Sequence, residues 1–287
     1  MKARIATFII AALSLGAAQA RAQDVLAPIG EPRDAAGLQS AAGVNAALRW
    51  AELDRGGHVA ALRISSQGAR ALRAGIRVGE LPRDATLRFY APGDGQVREV
   101  SAASILDALA RNRDAGETGP DARTWWSPLV EGDTLVVEIE LAPGSDPAAL
   151  AIAVPSVSHI REWAPPAGGD ARTVGLVTTL GGTTYACAGE QVAAAAARYF
   201  LAEDRCIATQ AAASSLEVFV ARDASGVGAR LLYASPDTDT AFLALDAPPA
   251  SPGVAPPPLA ALDPALEQWL GAGGAARAHA IGAFSSP

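Results

Sequence analysis

Short stretches in which apolar and polar residues alternate recur between residues 46 and 163. The clearest is Asp133–Leu141, which places Leu135, Val137 and Ile139 on one face of a strand. Because strand side chains point alternately to opposite faces, this spacing predicts a strand with one buried face. Turn residues separate similar runs at Val59–Ser66, Ala71–Val78, Ala85–Tyr90 and Ala149–Val154. Many short strands with such turns predict a β-sandwich or jelly-roll-like domain over residues 46–163.

A second region with short β-type runs covers residues 174–247. Its candidate strands are Thr184–Val192, Arg198–Ala202, Leu216–Ala221, Ala229–Ala234 and Thr240–Leu245. Fewer segments have apolar residues at the spacing of a helix. Ser104–Arg111 places apolar residues on one helix face, and Cys206–Ser215 is compatible with a short helix. The predicted fold class is therefore all-β, with two β domains.

Segments without a hydrophobic period flank and separate these two regions. Residues 23–45 are rich in small residues and predict a poorly structured leader. The run Ala164–Gly169 contains two prolines and two glycines and predicts a linker over residues 164–173. Residues 248–287 form a Pro-rich, low-complexity tail, in which Asp263-Pro264 begins a predicted short helix at 263–270.

The first 22 residues have the features of a signal peptide. A basic start is followed by a short apolar run and by small residues suited to cleavage. Three of the 23 basic residues lie here, so the remainder carries 20 basic against 30 acidic residues. We therefore expect a secreted or periplasmic protein whose acidic surface disfavours nucleic acid and anionic membranes as partners.

The two cysteines, Cys187 and Cys206, both lie in the part that would be exported. Exported proteins tend to form disulfides, so the two are predicted to pair. On the chain-entropy model, closing about 20 residues stabilises the fold by roughly 3 kcal/mol.

Three motifs in the second region carry a family resemblance. They are Cys187-Ala188-Gly189, the run Phe200–Cys206, and Thr238-Asp239-Thr240. Together, Gly182–Asp246 resembles the first β-barrel of trypsin-fold serine proteases, in particular the bacterial lysyl-endopeptidase-like branch. The segment Trp126–Asp133 resembles the region that precedes the protease domain in these enzymes. The resemblance implies a trypsin-like first barrel over 174–247, behind a pro-region-like accessory domain, with the second barrel missing.

The departures from this family concern its catalytic residues. Arg205 stands where the family has its general-base histidine, and Asp239 matches the aspartate that orients that base. A guanidinium stays protonated and cannot accept a proton from a serine hydroxyl. The nucleophile motif Gly-Asp-Ser-Gly-Gly is absent from the 287 residues. The resemblance thus implies vestigial triad positions, at which Arg205 either bonds to Asp239 or turns into solvent.

No other residue pattern predicts catalysis, a metal or a cofactor. His58, His159 and His279 are each isolated from a Ser or Cys pattern, and ordinary surface or loop placement is the simpler interpretation. Asp237 and Asp239 lack the alternating carboxylate spacing of a calcium loop. Neither phosphate-loop nor zinc-ligand spacing is present.

The leading hypothesis is an exported, catalytically inactive homologue of a trypsin-like serine endopeptidase. It is either a retained pseudoenzyme, binding a protein through an exposed barrel face, or the product of a damaged gene. The first alternative is an active secreted endopeptidase of the lysyl-endopeptidase type. The second is a carbohydrate- or protein-binding sandwich, for which Trp125 and Trp126 are the candidate contact residues.

Overall fold

The computed structural model describes residues 26–93, 96–164, 173–192, 199–220 and 223–246. Antiparallel strands dominate, which confirms a mostly β protein. The N-terminal half contains β1 Pro28–Asp34, α1 Ala41–Ala47, β2 Ala51–Glu52, β3 His58–Ser65, β4 Ala71–Glu80, β5 Thr86–Tyr90, β6 Arg98–Ser101, α2 Ala102–Asp114, β7 Thr124–Trp126, β8 Val130–Glu131, β9 Thr134–Leu141 and β10 Ala151–Ile160. The C-terminal half contains β11 Thr173–Leu180, β12 Thr183–Val192, β13 Tyr199–Ala202, α3 Gln210–Ser214, β14 Glu217–Val220, β15 Asp223–Val227, β16 Ala229–Ser235 and β17 Thr240–Leu245.

A five-stranded sheet in the order β2-β3-β9-β5-β6 forms one layer of the N-terminal half. In β9, Leu135, Val137 and Ile139 are fully buried, whereas Glu138 and Glu140 are half-buried on the other face. There Arg88 bonds both of these carboxylates at 2.9 Å. The alternation in the sequence therefore predicted the buried face of β9 correctly.

The second sheet crosses the predicted domain boundary. Its main path runs β15-β14-β11-β12-β1-β10-β4-β7, so β1 lies between β10 of the N-terminal half and β12 of the C-terminal half. One branch adds β13, β17 and β16 beyond β12, and β8 pairs with β4. The two halves, predicted as separate domains joined by a linker, are therefore parts of one continuous sheet.

The predicted leader over residues 23–45 is wrong for its described part. Strand β1 pairs with β10 over five residue pairs and with β12 at Pro28 and Gly30. Helix α1 follows, with Ser40 as its N-cap accepting the Gly43 N–H at 3.1 Å. Prolines usually argue against an inner strand, but Pro28 is the first residue of β1 and Pro32 lies beyond the short pairing with β12.

Two main hydrophobic clusters fill the molecule. The larger lies in the N-terminal half and joins the inner faces of both sheets to α2, through residues such as Leu87, Ile105 and Ile152. The second lies in the C-terminal half, around Phe200, Leu216 and Leu243. Helix α2 begins two residues before the predicted start, because Ser101 caps it by accepting the Ser104 N–H, and it continues to Asp114. The predictions for residues 1–22, for 165–172 of the linker and for 248–287 lie outside the described residues.

Candidate functional site

A disulfide fixes the turn that follows β13. Cys187 in β12 is bonded to Cys206, with a Cα–Cα distance of 6.6 Å, which confirms the predicted pairing. The turn is closed by the Cys206 N–H, which donates to the Glu203 carbonyl at 3.0 Å. Strand pairing between β13 and β17 brings this turn close to the end of the β16–β17 hairpin.

Arg205 lies in that turn and faces two carboxylates. Its Nη2 and Nε donate to the two carboxylate oxygens of Glu203 at 2.7 and 2.9 Å. Its Nε is also 3.5 Å from Oδ2 of Asp239, at ion-pair distance. The structure thus brings Arg205 and Asp239 together, but the shorter guanidinium bonds go to Glu203, which the predicted pair did not include.

Asp239 binds the same turn through the backbone. Its Oδ1 accepts the Arg205 N–H at 3.1 Å, which ties the β16–β17 hairpin to the turn after β13. Asp239 has a φ of 48°, the left-handed region that non-glycine residues adopt uncommonly and that aspartate tolerates better than most. This backbone conformation limits which residues can replace Asp239 without cost.

The charged side chains of this cluster are partly exposed to water. Arg205, Glu203 and Asp239 have side chains that are 39%, 46% and 43% exposed, so water screens their charges. Neighbouring Asp204 has a pKa raised first by burial and then by the charge of Asp239. Within the described ranges, no group of three His, Cys, Asp or Glu side chains is arranged to hold a metal ion.

The histidines lie elsewhere. His58 is in β3, edge-on to Trp50, and His159 is buried in β10, where its Nδ1 is 2.8 Å from Ser66 Oγ. His279 is outside the described residues. Surface or loop placement is therefore wrong for His159.

A pocket of about 640 Å³ lies away from the Arg205 cluster. Its described lining residues include Arg70, Arg161 and Trp163, and they do not include Arg205 or Asp239.

Sequence reasoning missed a buried polar seam between the two halves. Arg73 in β4 is fully buried and donates to the Ser127 carbonyl, to Thr179 Oγ1 and to the Ser215 carbonyl, at 2.7, 2.8 and 2.7 Å. Glu217 is also fully buried and bonds Arg98 at 2.9 Å and the Leu129 N–H at 2.8 Å. Arg73, inside the apolar run Ala71–Val78, is a sequence signal of this seam.

Further polar contacts extend the seam along α2 and α3. The Glu117 carboxylate accepts the Gln210 and Ala211 N–H groups at the start of α3, and burial raises its pKa. Ser214 Oγ donates to Asn112 at 2.7 Å, and both residues are buried. Arg111 bonds Asp246 at 2.5 Å. The N-terminal half thus binds the C-terminal half through charged and polar groups as well as through β1.

The tryptophans considered for ligand binding are in the core. Trp125 is 4% exposed and packs 5.7 Å from Phe89, and Trp126 is 2% exposed against Gly75. Neither ring can present a face to a carbohydrate or a peptide. The contact role considered for Trp125 and Trp126 is therefore wrong.

Comparison with known proteins assigns the N-terminal part. Residues 6–161, more than half of the chain, match the lysyl endopeptidase N-terminal domain family. The chain belongs to this family. It is also similar to lysyl endopeptidase of Pseudomonas aeruginosa, with 38% identity over 119 residues, which are 40% of this chain and 22% of that protein. The match thus spans about a fifth of the relative's length. No solved structure matches.

The relationship and the disulfide support export of the protein. Among the described helices, none has the length and apolar character needed to cross a lipid bilayer.

Proposed function

We propose that this protein is an exported, catalytically inactive relative of the lysyl endopeptidases, retained for binding rather than for hydrolysis. The observation on which this depends is the identity and environment of residue 205. Its guanidinium is bonded by Glu203 and is 3.5 Å from Asp239, and both carboxylates stabilise the charged form. A side chain that is cationic at every accessible pH cannot act as general base for a nucleophile.

The strand order supports the comparison with a trypsin-like first barrel. The pairing runs β14-β11-β12-β13-β17-β16 in the C-terminal half, and the disulfide joins β12 to the turn after β13. The resemblance places the family's base in that turn and its orienting aspartate at the β16–β17 hairpin. Asp239 accepts the backbone N–H of residue 205 there, so the proposed correspondence rests on a direct contact.

The test is covalent labelling together with turnover. The purified chain is incubated with a fluorophosphonate probe and, separately, with lysyl and arginyl esters. We expect neither labelling nor hydrolysis above the level of heat-unfolded protein. An active lysyl endopeptidase is the positive control, because it shows that the probe and esters react under the same conditions.

An active secreted endopeptidase of the lysyl type is the alternative, favoured by the similarity to the Pseudomonas enzyme. It would require a base other than residue 205. The two histidines within the described ranges are in the N-terminal half, in β3 and β10. Turnover that is abolished by a single substitution in this chain would establish the alternative and refute the inactive interpretation.

In the described part of the C-terminal half, no large apolar side chain is strongly exposed to a partner. Among the described residues, Val97 is the large apolar side chain that is strongly exposed, and it lies in the N-terminal half. Charge would then contribute much of the recognition, and binding should weaken as salt is raised. Measuring affinity at low and high ionic strength tests this, and salt-independent binding would contradict it.

A further inference from the structure

His159 is a buried titratable group in the sheet that joins the two halves. It is 3% exposed in β10, directly opposite Glu31 of β1 and Leu72 of β4. Its Nδ1 is 2.8 Å from Ser66 Oγ, a buried contact. A protonated ring carries a hydrogen on both nitrogens, so Nδ1 then donates to the Ser66 hydroxyl and Nε2 needs an acceptor as well.

The charged groups that act on His159 are mostly cationic. Arg33 of β1 and Arg161 at the end of β10 oppose protonation, whereas Glu31 favours it. Glu31 already bonds Arg33 at 3.0 Å and lies 3.4 Å from Arg161. Leu72 on the β4 side is apolar, and Ser66 is neutral. Burial first, and then Arg33, lower the pKa of His159 below its usual value.

Strand β1, which lies beside this histidine, buries few of its own side chains. Of its seven residues, Gly30 is the one that is buried. Its pairing with β12 is limited to Pro28–Tyr185 and Gly30–Thr184, with a register shift between them. Elements with little buried apolar surface open locally at lower free energy than the core. Loss of β1 would remove a strand that connects the β10 and β12 parts of the sheet.

We propose that His159 makes the pairing of β1 acid-sensitive, so that a proton on its imidazole loosens β1 and with it the junction between the two halves. The opened form accepts the proton more readily than the closed sheet does. The contribution of neutral His159 to stability is therefore fully present above a pH of about 6.5, the usual pKa of histidine in an unfolded chain. It declines as the pH falls below that value, towards the lower pKa of the folded state.

The experiment is hydrogen exchange of the full chain at pH 7.5 and 5.5, corrected for intrinsic exchange rates. We expect the protection of the β1 amides to fall several-fold at the lower pH, while the central strand β9 changes much less. His159→Gln keeps a neutral hydrogen-bonding group and should remove most of this β1 effect. His58→Gln is the matched control and should behave as the unmodified chain.

Equal losses of β1 protection in the unmodified chain and in His159→Gln would overturn the proposal, as would no loss in the unmodified chain. If His159→Gln does not fold, the imidazole of the unmodified chain is titrated by NMR. A His159 pKa below 6.5, with β1 amide shifts that follow the same titration, supports the proposal. A pKa at or above 6.5, or β1 shifts that do not follow it, refutes it.

Discussion

Two arginines of this chain differ in their surroundings. One lies in the turn after β13, and the other lies in the buried polar seam between the two halves. Arg205, which we propose corresponds to the family's general base, has a side chain that is 39% exposed, beside two carboxylates. Arg73 is fully buried and bonds two backbone carbonyls and a threonine hydroxyl. Exposed ion pairs contribute little to stability, whereas removal of a buried charged group leaves its partners unsatisfied. The residue that decides the proposed function is therefore not the one expected to hold the fold together.

Burial also affects the proton affinity of Arg73. Burial lowers the pKa of Arg73 to about 10, and Arg98 acts in the same direction, while the charge of Glu217 opposes this. Arg73 therefore stays protonated at neutral pH despite its environment. Its five N–H donors suit a site that presents several oxygens in fixed directions.

The largest expected effect is at the seam. Arg73→Met removes all three polar bonds and leaves the Ser127 and Ser215 carbonyls buried without this donor. We expect a loss of about 3–5 kcal/mol in the free energy of unfolding, measured by urea denaturation. Arg73→Lys keeps the charge but not the fork of donors and should recover part of the loss. A cost of under about 1 kcal/mol for Arg73→Met would show that the seam does not stabilise the fold.

The disulfide should rank next. Replacing Cys187 and Cys206 together with alanine removes a cross-link that spans 19 positions. The chain-entropy model gives a loss of roughly 3 kcal/mol, again measured by urea denaturation. Reduction of the unmodified chain is the control, because it breaks the same bond without changing volume. A double variant as stable as the oxidised protein would contradict the expectation.

The sequence predicted the parts of this molecule that depend on local patterns. The alternation in β9 identified its buried face, and the two cysteines of an exported chain identified the disulfide. The seam depends on contacts between distant segments, such as the 142 positions that separate Arg73 from Ser215. Strand β1 contains two prolines and few apolar residues, so its own sequence has a low propensity for a strand. Its place in the sheet is decided by the strands beside it.

A smaller effect is expected from the backbone at Asp239. Asparagine tolerates the left-handed region and keeps an acceptor oxygen, so Asp239→Asn should change the stability by no more than about 0.5 kcal/mol. Asp239→Val introduces a branched side chain at a φ of 48° and loses the bond to the Arg205 N–H. We expect a cost of about 1–3 kcal/mol, measured by thermal unfolding. Equal stability of the two variants would show that this turn is not constrained.

The smallest effect on stability should come from Arg205 itself. Its partners, Glu203 and Asp239, are both more than 40% exposed, so water replaces the lost bonds at little cost. Arg205→Ala should therefore lower the free energy of unfolding by less than about 1 kcal/mol, and the loss should shrink further in high salt. The backbone N–H at position 205 still donates to Asp239 in this variant, which limits rearrangement of the turn. A loss as large as that of Arg73→Met would mean that Arg205 has a structural role, and the contrast between the two arginines would then be lost.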